Sequence, residues 1–547
     1  MEIHCNGLTA RVAPGGSLFD YAESLGMFVP TSCQKLGKCK ECLVEVTEGL
    51  DLLTPRTKEE QHLDENFRLS CQAGLAAAEG VVRYHTMRRG DLRIERHGFS
   101  LPGRSGAFAV DPCVTRDGDR VLMDGREIDR TTGPLHGVAV DLGTTTVVLR
   151  LFDLESGEVV ADSSFENPQR FGGSDVMSRI HFDTTHKGHL LQRTIAGYLG
   201  HAIDELPVDP RSIYEIVIAG NSTMRDIFFR LDVWSIGQNP YRSITEIELR
   251  DGKRAATSLA TIAPRLLLPR VNRQARVYGL PIISGHVGAD AAACMLAIDL
   301  AHEDRLVCIM DIGTNTELIL GNRHRILAAS CPAGPAFEGG KIRFGMPGLP
   351  GAIEHLRIGD DGAVRASVIG DGPAEGICGS GLVDALGELL RTGRMNSLGR
   401  LEDGDEFVLA PRTPHPVSLH ERDINELAQA KGANVAGLHI IFDQYGCRFE
   451  DVDTFYLAGG FGRHLDVASA RRIGLIPDLP DAKVIQVGNA AIEGASIALL
   501  SRARREELEQ LVRQVTHCRL ESHPEFFHYF VEGCQFHPVE SLGVGGS

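Results

Sequence analysis

The sequence predicts an α/β protein made of several domains, and three observations support this prediction. The chain has 547 residues, 43% of them hydrophobic and 24% charged, which is more than one core usually organises. A loop rich in cysteine, TSCQKLGKCKECLVEV at 31–46, lies among short strand-like segments near the N-terminus. Further along, a pattern of two apolar strands around an Asp-x-Gly-Thr turn occurs at Asp141 and again at Asp311.

Composition excludes several classes of protein. The net charge of −17 disfavours a nucleic-acid partner or an anionic membrane surface. The chain opens Met1-Glu2-Ile3-His4, like a strand rather than a signal segment, and has no apolar run long enough to span a bilayer. Thirteen cysteines at irregular spacing favour metal ligands and buried thiols over a disulfide framework. We therefore expect a cytoplasmic protein without nucleic-acid or membrane partners.

Residues 1–87 are the first predicted domain, a small mixed α/β unit. Strand patterns cover Glu2–Cys5, Thr9–Val12 and Leu43–Thr47. A helix is predicted at Ser17–Ser24, directly after a Pro-Gly-Gly turn. The cysteine loop precedes the last of these strands.

Four cysteines of this domain have the spacing of a metal centre. Cys33-x5-Cys39-x2-Cys42 would place three thiolates on one loop, and Cys71 would supply a fourth from a remote turn. An iron–sulfur cluster needs backbone N–H groups that point inward, and Gly37 permits the curled backbone that supplies them. A zinc ribbon normally has two Cys-x2-Cys knuckles, and only one occurs here. This favours an iron–sulfur cluster over a four-cysteine zinc site or unrelated structural thiols.

At these residues the segment resembles the [2Fe–2S] ferredoxin family of β-grasp fold. Cys33, Cys39, Cys42 and Cys71 match the four cluster ligands of that family. The x5 spacing departs from the plant-type x4 and resembles the adrenodoxin-like branch. The resemblance implies a [2Fe–2S] cluster but no particular reduction potential.

Residues 88–135 are predicted to be a linker with a small module. The stretch RHGFSLPGRSGAF indicates irregular chain, and RDGDRVLMDGREI indicates a hairpin between two Asp-Gly turns. A moderately flexible arm would keep a tethered electron carrier at high effective concentration near its target.

The repeated turn has the residue types of a phosphate-binding loop. Gly143 and Gly313 remove the side chain where a phosphate would approach, and the Thr hydroxyls and turn N–H groups can donate to its oxygens. Asp141 and Asp311 sit at strand ends, where a carboxylate can hold Mg²⁺, directly or through water, or orient an attacking water. A single such turn would be ordinary hairpin chemistry, but two copies between apolar strands favour phosphate binding.

A third stretch, FYLAGGFGRHLD, runs from a predicted strand at Phe455–Leu457 into a glycine-rich turn. With the two loops before it, residues 137–540 resemble the acetate and sugar kinase, Hsc70 and actin superfamily. The resemblance implies two duplicated ribonuclease-H-like α/β lobes, at 136–300 and 301–547, that close over ATP and Mg²⁺. It gives catalytic roles to Asp141 and Asp311. The ATP-binding residues it implies are Gly143, Thr144, Thr145, Gly313, Thr314, Asn315, Gly459, Gly460 and Gly462.

Other stretches are less specific. Asn221, Ser222 and Thr223 follow a strand and precede a helix, which suits a helix cap or a contact with substrate or partner. Cys378 is interpreted as a small buried residue rather than a ligand. His286 and Asp290 would share one helical face if the helix there starts early. The tail contains two cysteines and four histidines without the spacing of a zinc site, and we expect its histidines to face solvent. These residues are Cys518, Cys534, His517, His523, His528 and His537.

The whole chain resembles the reductive activators of corrinoid proteins. The phrases that carry this resemblance are DLGTTTVV, AGNSTM, DIGTNTE, CPAGPAFEGGKI, GICGSGLVDA and LAGGFG. It implies ATP-dependent one-electron reduction of inactive Co(II) to Co(I), with a corrinoid protein and an upstream low-potential electron donor as partners. It also implies a homodimer formed through the ATPase part. Two alternatives remain at this point: a small-molecule kinase with a regulatory cluster, and a redox-sensing clamp whose partner affinity is gated by ATP.

Overall fold

The computed structural model describes residues 1–63, 66–87, 101–104, 108–412, 415–460 and 462–541. They fall into two compact units. The first contains the described residues of Met1–Ile94, Val110–Leu280 and Leu499–Arg502. The second contains those of Glu95–Ala109, Pro281–Ala498 and Ala503–Ser547.

The N-terminal domain, residues 1–87, is a five-stranded sheet with one helix. Helix α1 (Leu18–Ser24) begins at Ser17, whose side chain accepts from the N–H of Asp20 while the Asp20 carboxylate accepts from Ser17 N–H. The strands are β1 (Glu2–Cys5), β2 (Leu8–Arg11), β3 (Leu43–Glu48), β4 (Phe67–Leu69) and β5 (Val81–Thr86). Their order is β2-β1-β5-β3-β4, with β1 parallel to β5. The predicted strands and helix are confirmed.

A three-stranded antiparallel sheet follows in the first unit. It consists of β6 (Val114–Asp117), β7 (Arg120–Met123) and β8 (Arg126–Arg130). Gly118 and Gly125 make its two turns with left-handed backbone angles. The predicted hairpin is confirmed and gains a third strand. The rest of the predicted linker lies mainly outside the described residues, at 88–100 and 105–107.

The first lobe, residues 136–280 of the first unit, is built on a six-stranded mixed sheet. Its strands are β9 (His136–Leu142), β10 (Thr146–Asp153), β11 (Val159–Glu166), β12 (Ile213–Ala219), β13 (Leu259–Ile262) and β14 (Arg276–Gly279). Their order is β11-β10-β9-β12-β14-β13. The helices are α2 (Val176–Thr185), α3 (Leu190–Asp204), α4 (Ser222–Phe228) and α5 (Ile244–Arg250). One hydrophobic cluster joins the core of this lobe to that of the N-terminal domain.

The second unit has its own six-stranded sheet and two smaller ones. The strands are β15 (Val307–Ile312), β16 (Thr316–Asn322), β17 (Arg325–Cys331), β18 (Ala352–Ile358), β19 (Val364–Val368), β20 (Gly376–Ile377), β21 (Glu406–Ala410), β22 (Val417–His420), β23 (Thr454–Ala458), β24 (Val484–Gly488) and β25 (Val515–His517). The main sheet has the order β24-β23-β15-β16-β17-β25. The helices are α6 (Ala289–Ala297), α7 (Gly379–Arg391), α8 (Glu421–Tyr445), α9 (Val467–Arg472), α10 (Ala490–Leu500), α11 (Arg502–Leu511) and α12 (Phe526–Gly533).

The two main sheets repeat one topology. In the first lobe, three antiparallel strands β11-β10-β9 are followed by the parallel strand β12. In the second unit, β17-β16-β15 are followed in the same way by the parallel strand β23. The predicted α/β multidomain fold with duplicated lobes is confirmed.

Two local predictions are wrong. Helix α6 begins at Ala289, so His286 precedes it and shares no helical face with Asp290. His517 is not solvent-facing, because it lies partly buried in β25, where burial and the nearby His286 and Arg519 lower its pKa to about 4. His528 and His537 are exposed, as predicted. None of the described helices combines the length and apolar character needed to cross a membrane.

Candidate functional site

The cysteine loop of the N-terminal domain has the curled backbone that a cluster requires. Gln34, Lys35, Gly37 and Lys40 all have left-handed backbone angles. Left-handed residues bend the chain sharply, and turns built in this way can direct several N–H groups toward one concave side. Three of these four residues are not glycine, and such residues rarely adopt left-handed backbone angles. The surrounding structure must therefore hold the loop in this conformation. The sequence predicted the curl at Gly37 alone.

The four thiols of the loop and the remote turn lie in two pairs. Cys42 donates to Cys71 with 3.2 Å between the sulfurs, and Cys33 hydrogen-bonds Cys39. Burial opposes ionisation of Cys33, but N–H groups of the loop donate to its sulfur and hold its pKa below the ordinary value. The bond from Cys42 lowers the pKa of Cys71 to about 6, and burial works against it. Thiols in two pairs, surrounded by N–H donors, are a suitable ligand set for a binuclear cluster.

The strand that leads to Cys71 is held by a buried ion pair. Arg68 of β4 donates to Glu60 with 2.8 Å between Nε and Oε1, and Glu60 is fully buried. The same carboxylate oxygen accepts from the N–H of Leu69 at 3.0 Å. Breaking a buried pair of this kind is strongly destabilising, so it fixes the position of the fourth thiol relative to the loop.

The first of the two predicted phosphate loops, residues 141–145, joins β9 to β10; the names first and second phosphate loop refer to this prediction. Thr144 is buried, while Asp141, Gly143 and Thr145 are partly exposed. A Cβ on Gly143 would lie 2.5 Å from the carbonyl oxygen of Thr146, so the hairpin itself requires glycine here. The sequence had assigned this glycine to the approach of a phosphate alone.

The second phosphate loop, residues 311–315, joins β15 to β16 and repeats this arrangement. Its residues show the same alternation of burial, with Thr314 buried between partly exposed neighbours. Thr314 donates a hydrogen bond to Glu338. Asp311 accepts from the thiol of Cys294 in α6, with 3.3 Å between sulfur and Oδ2. The carboxylate is therefore held at the end of its strand.

A glycine from a neighbouring parallel strand packs on each loop. Gly220 follows β12, and a Cβ there would lie 2.6 Å from the Leu142 carbonyl oxygen. Gly459 follows β23, and its Cβ would lie 2.2 Å from the Ile312 carbonyl oxygen. Both glycines have positive φ angles. The predicted adenosine turn therefore begins against the second phosphate loop, while Gly460 faces open space.

Asn221 both caps a helix and contacts the first phosphate loop. Its side chain accepts from the N–H of Met224 at the start of α4, which confirms the predicted cap. It also donates to the hydroxyl of Thr144 at 2.9 Å. The alternative interpretation, a contact with substrate or partner, stays a prediction. Cys378 is buried, as predicted.

Two residues beside the phosphate loops were missed by the sequence analysis. Asn167 is fully buried and donates to the Gly143 carbonyl at 2.8 Å. Glu317 lies directly opposite Asp311 across the β15–β16 pair and is also buried. Burial and the carboxylates of Asp290 and Asp311 raise the pKa of Glu317 well above its usual value. The motif DIGTNTE contains Glu317, but only strand register shows that it faces Asp311.

Comparisons with known proteins account for nearly the whole chain. Residues 1–76 match the 2Fe-2S iron-sulfur cluster binding domain. Residues 136–303 match the RACo middle region, and residues 305–542 match the C-terminal domain of RACo, described as the ASKHA domain. The chain belongs to the RACo family. As a member it has the [2Fe–2S] and ASKHA domains, whose cofactors are a [2Fe–2S] cluster, ATP and Mg²⁺.

Three relatives of this RACo-family chain are similar over long spans. The corrinoid activation enzyme RamQ of Eubacterium limosum is 28% identical, over 94% of this chain and 95% of the relative. The [Co(II) methylated amine-specific corrinoid protein] reductase of Methanosarcina barkeri is 26% identical, over 70% and 73%. A solved structure described as a reductive activator for corrinoid, iron-sulfur protein is 27% identical, covers 98% of each chain and has a TM-score of 0.72.

The carboxyl of Asp311 in this RACo-family member predicts a pH-dependent stability. Burial raises its pKa to about 6, although the Cys294 thiol lowers it somewhat. In the unfolded chain its pKa would be about 3.9, so the folded state loses stability as the pH rises from about 4 to about 6. We expect Asp311→Asn to stabilise the protein by ~1–3 kcal/mol at pH 8 and by about half as much at pH 5. Thermal midpoints of both proteins at both pH values test this, and an equal shift at both would contradict it.

Proposed function

We propose that this chain reactivates a corrinoid protein by ATP-dependent one-electron reduction of its inactive Co(II) to Co(I). One observation carries the proposal: a paired thiol loop and two duplicated phosphate loops occur in one chain, which matches relatives with corrinoid-activating names over nearly their full length. An electron carrier joined to an ATPase is useful where electron transfer is energetically uphill.

The thiol pairs support an assignment of cluster ligands. We assign Cys33 and Cys39 to one iron, because they hydrogen-bond each other, and Cys42 and Cys71 to the second, because their sulfurs are 3.2 Å apart. A bound [2Fe–2S] cluster supplies electrons one at a time. The loop N–H groups stabilise negative charge on the sulfurs, so the chain can accommodate the added electron.

The phosphate loops support an assignment of nucleotide ligands. Asp141 and Asp311 are at strand ends, where they can hold Mg²⁺ or orient the attacking water. The remaining proposed contacts to ATP are made by Gly143, Thr144, Thr145, Gly313, Thr314, Asn315, Gly459, Gly460 and Gly462. Asn167 and Glu338 hold the two loops from behind by hydrogen bonds to Gly143 and Thr314.

Coupling to ATP can make an electron transfer of this kind more favourable by a useful amount. Plant-type clusters have reduction potentials of about −400 mV, too high to populate Co(I) well. A coupling free energy of ~1–3 kcal/mol corresponds to about 40–130 mV for one electron. We propose that ATP-dependent docking shifts cobalt ligation by an amount of this order. We further propose an upstream low-potential electron donor and a homodimer formed through the ATPase part, both on the family resemblance.

The test is an anaerobic assay with excess reductant, a Co(II) corrinoid protein and MgATP. We expect Co(I) absorbance to appear only with ATP, together with ATP hydrolysis, and chelation of Mg²⁺ to stop both without bleaching the cluster. Stoichiometric transfer of phosphate to a small molecule without any corrinoid would instead identify a kinase. ATP-dependent binding of the corrinoid protein without Co(I) would identify a clamp, and either result would overturn the proposal.

A further inference from the structure

The cysteine loop of the N-terminal domain rests on helix α3 of the first lobe. Glu41, which lies between two proposed cluster ligands, hydrogen-bonds His201 with 3.1 Å between Oε2 and Nε2. Its other oxygen accepts from the hydroxyl of Ser32 at 2.6 Å. The side chains of Glu41 and His201 are only 9% and 11% exposed. Arg193 of the same helix donates to the Lys38 carbonyl at 3.3 Å. The backbone that carries the thiols is thus held by another domain.

Helix α3 has a recess that fits the Glu41 side chain. A Cβ on Gly197 would lie 2.8 Å from Glu41 Oε1 and 2.9 Å from its Cγ, so any larger residue at 197 would push the Glu41 side chain out of its present position. Glycine weakens a helix interior, so its presence there needs a packing reason. Gly200 lies three residues further along the same helix, and a Cβ on it would meet no neighbouring atom within 4 Å. It therefore provides a matched comparison.

A second contact connects the N-terminal domain to the first phosphate loop. Asn167 donates from its side chain to the Gly143 carbonyl at 2.8 Å and from its N–H to the Thr145 carbonyl at 2.7 Å. It caps the short turn Pro168–Gly172. Arg170 of that turn is 3.4 Å from the Glu45 carboxylate in β3. Phe171, the next residue, makes an edge-to-face contact with His62, with ring centroids 5.8 Å apart. One turn therefore contacts both the phosphate loop and the N-terminal domain.

We propose that this surface of the first lobe, formed by Arg170, Phe171, Gly197 and His201, is a docking seat for the N-terminal domain, and that ATP at the first phosphate loop strengthens the docking through Asn167. This proposal rests on the proposed function, because it assumes that the bound nucleotide is ATP. Leu36 of the cysteine loop stays 57% exposed. The docked domain therefore keeps one side of the loop open for electron delivery.

The sign of the coupling follows from peptide geometry. The C=O and N–H of a trans peptide point in opposite directions within one rigid plane. Because Asn167 holds the carbonyls of Gly143 and Thr145, it directs the N–H groups of the following residues away from itself, and in the proposed ATP complex these N–H groups donate to the phosphate. Phosphate binding and the Asn167 hydrogen bonds therefore favour the same loop conformation. By linkage, docking of the N-terminal domain must strengthen ATP binding by the factor with which ATP strengthens docking.

Gly197→Leu tests the seat, and Gly200→Leu in the same helix is its control. Hydrogen–deuterium exchange of the anaerobic holoprotein should become about tenfold faster in peptides from 31–46 in the Gly197 variant and stay unchanged in the Gly200 variant. His201→Ala removes the hydrogen bond to Glu41 without adding bulk, and it should also make exchange at 31–46 faster. This variant replaces Gly197→Leu in the test if the leucine variant is poorly folded. Unchanged exchange at 31–46 in both the Gly197 and the His201 variants would overturn the seat.

Calorimetry with a non-hydrolysable ATP analogue tests the coupling. We expect Gly197→Leu to weaken analogue binding about fivefold or more, and Gly200→Leu to leave it unchanged. In the wild-type protein the analogue should slow exchange at 31–46, and Asn167→Ala should remove that effect at saturating analogue. Equal analogue affinity in the wild-type and Gly197→Leu proteins would overturn the coupling. None of these measurements contains a corrinoid, so a failure to form Co(I) would count against the proposed function alone.

Discussion

Replacement of Asp311 by alanine is expected to slow ATP hydrolysis by at least about 10²-fold and to abolish the ATP-dependent conversion of Co(II) to Co(I). Asp311 ends a buried strand, is held by the Cys294 thiol and lies opposite Glu317, so its carboxylate can serve Mg²⁺ or the hydrolytic water. The variant also loses a negative charge beside the phosphates, so ATP binding should survive. The loss is expected in turnover rather than in affinity.

Asp304→Ala is the matched control for this experiment. Asp304 lies in the same unit, but its side chain is 66% exposed and pairs with surface groups, Arg323 and His324. We expect wild-type hydrolysis from the control and an unchanged cluster spectrum from both variants. Hydrolysis at the wild-type rate by Asp311→Ala would show that Asp311 has no catalytic role and serves only to form the turn. Lost hydrolysis with normal Co(I) production would show that ATP does not drive the electron.

Local sequence patterns predicted the strands and turns of both phosphate loops. Apolar strands on either side of an Asp-x-Gly-Thr turn leave the backbone few alternatives, so the hairpins at Asp141 and Asp311 could be predicted directly. The partners behind the loops could not be predicted in this way. Asn167 reaches Gly143 only because β11 pairs with β10, and Glu317 faces Asp311 only through strand register. Contacts made by tertiary pairing leave no periodic signal in the sequence.

In the N-terminal domain, too, local features could be predicted from the sequence and tertiary contacts could not. Cysteine spacing predicted the thiol loop, because the number of residues between ligands limits how a loop can curl. The sequence predicted residues 1–87 and 136–300 as two domains but gave no sign that they pack together, and in the structure the N-terminal domain and the first lobe share one compact unit and one hydrophobic cluster. Gly197 and His201 lie within an ordinary helical pattern, and nothing in that pattern indicates that a cysteine loop packs there.

Cys39→Ser is expected to remove the cluster while sparing ATP hydrolysis. Cys39 hydrogen-bonds Cys33 in the proposed ligand pair, and a serine hydroxyl is a poor substitute for a thiolate ligand. The wild-type protein, reconstituted anaerobically, should be brown and contain about two irons per chain. The variant should lose the visible bands and the iron. Asp311, the proposed hydrolytic carboxylate, belongs to the second compact unit, so hydrolysis should continue.

Cys5→Ala is the control for the thiol substitution. Cys5 lies fully buried in β1 of the same domain and is not one of the four proposed ligands, and burial raises its pKa to about 11. That variant should keep the cluster spectrum and lose only a little stability, because a small side chain is removed from the core. ATP affinity in Cys39→Ser can change through the docking seat, since Glu41 is two residues away and contacts His201. Wild-type protein that binds stoichiometric zinc without iron or inorganic sulfide would contradict the cluster assignment and, with it, any role for this chain in electron transfer.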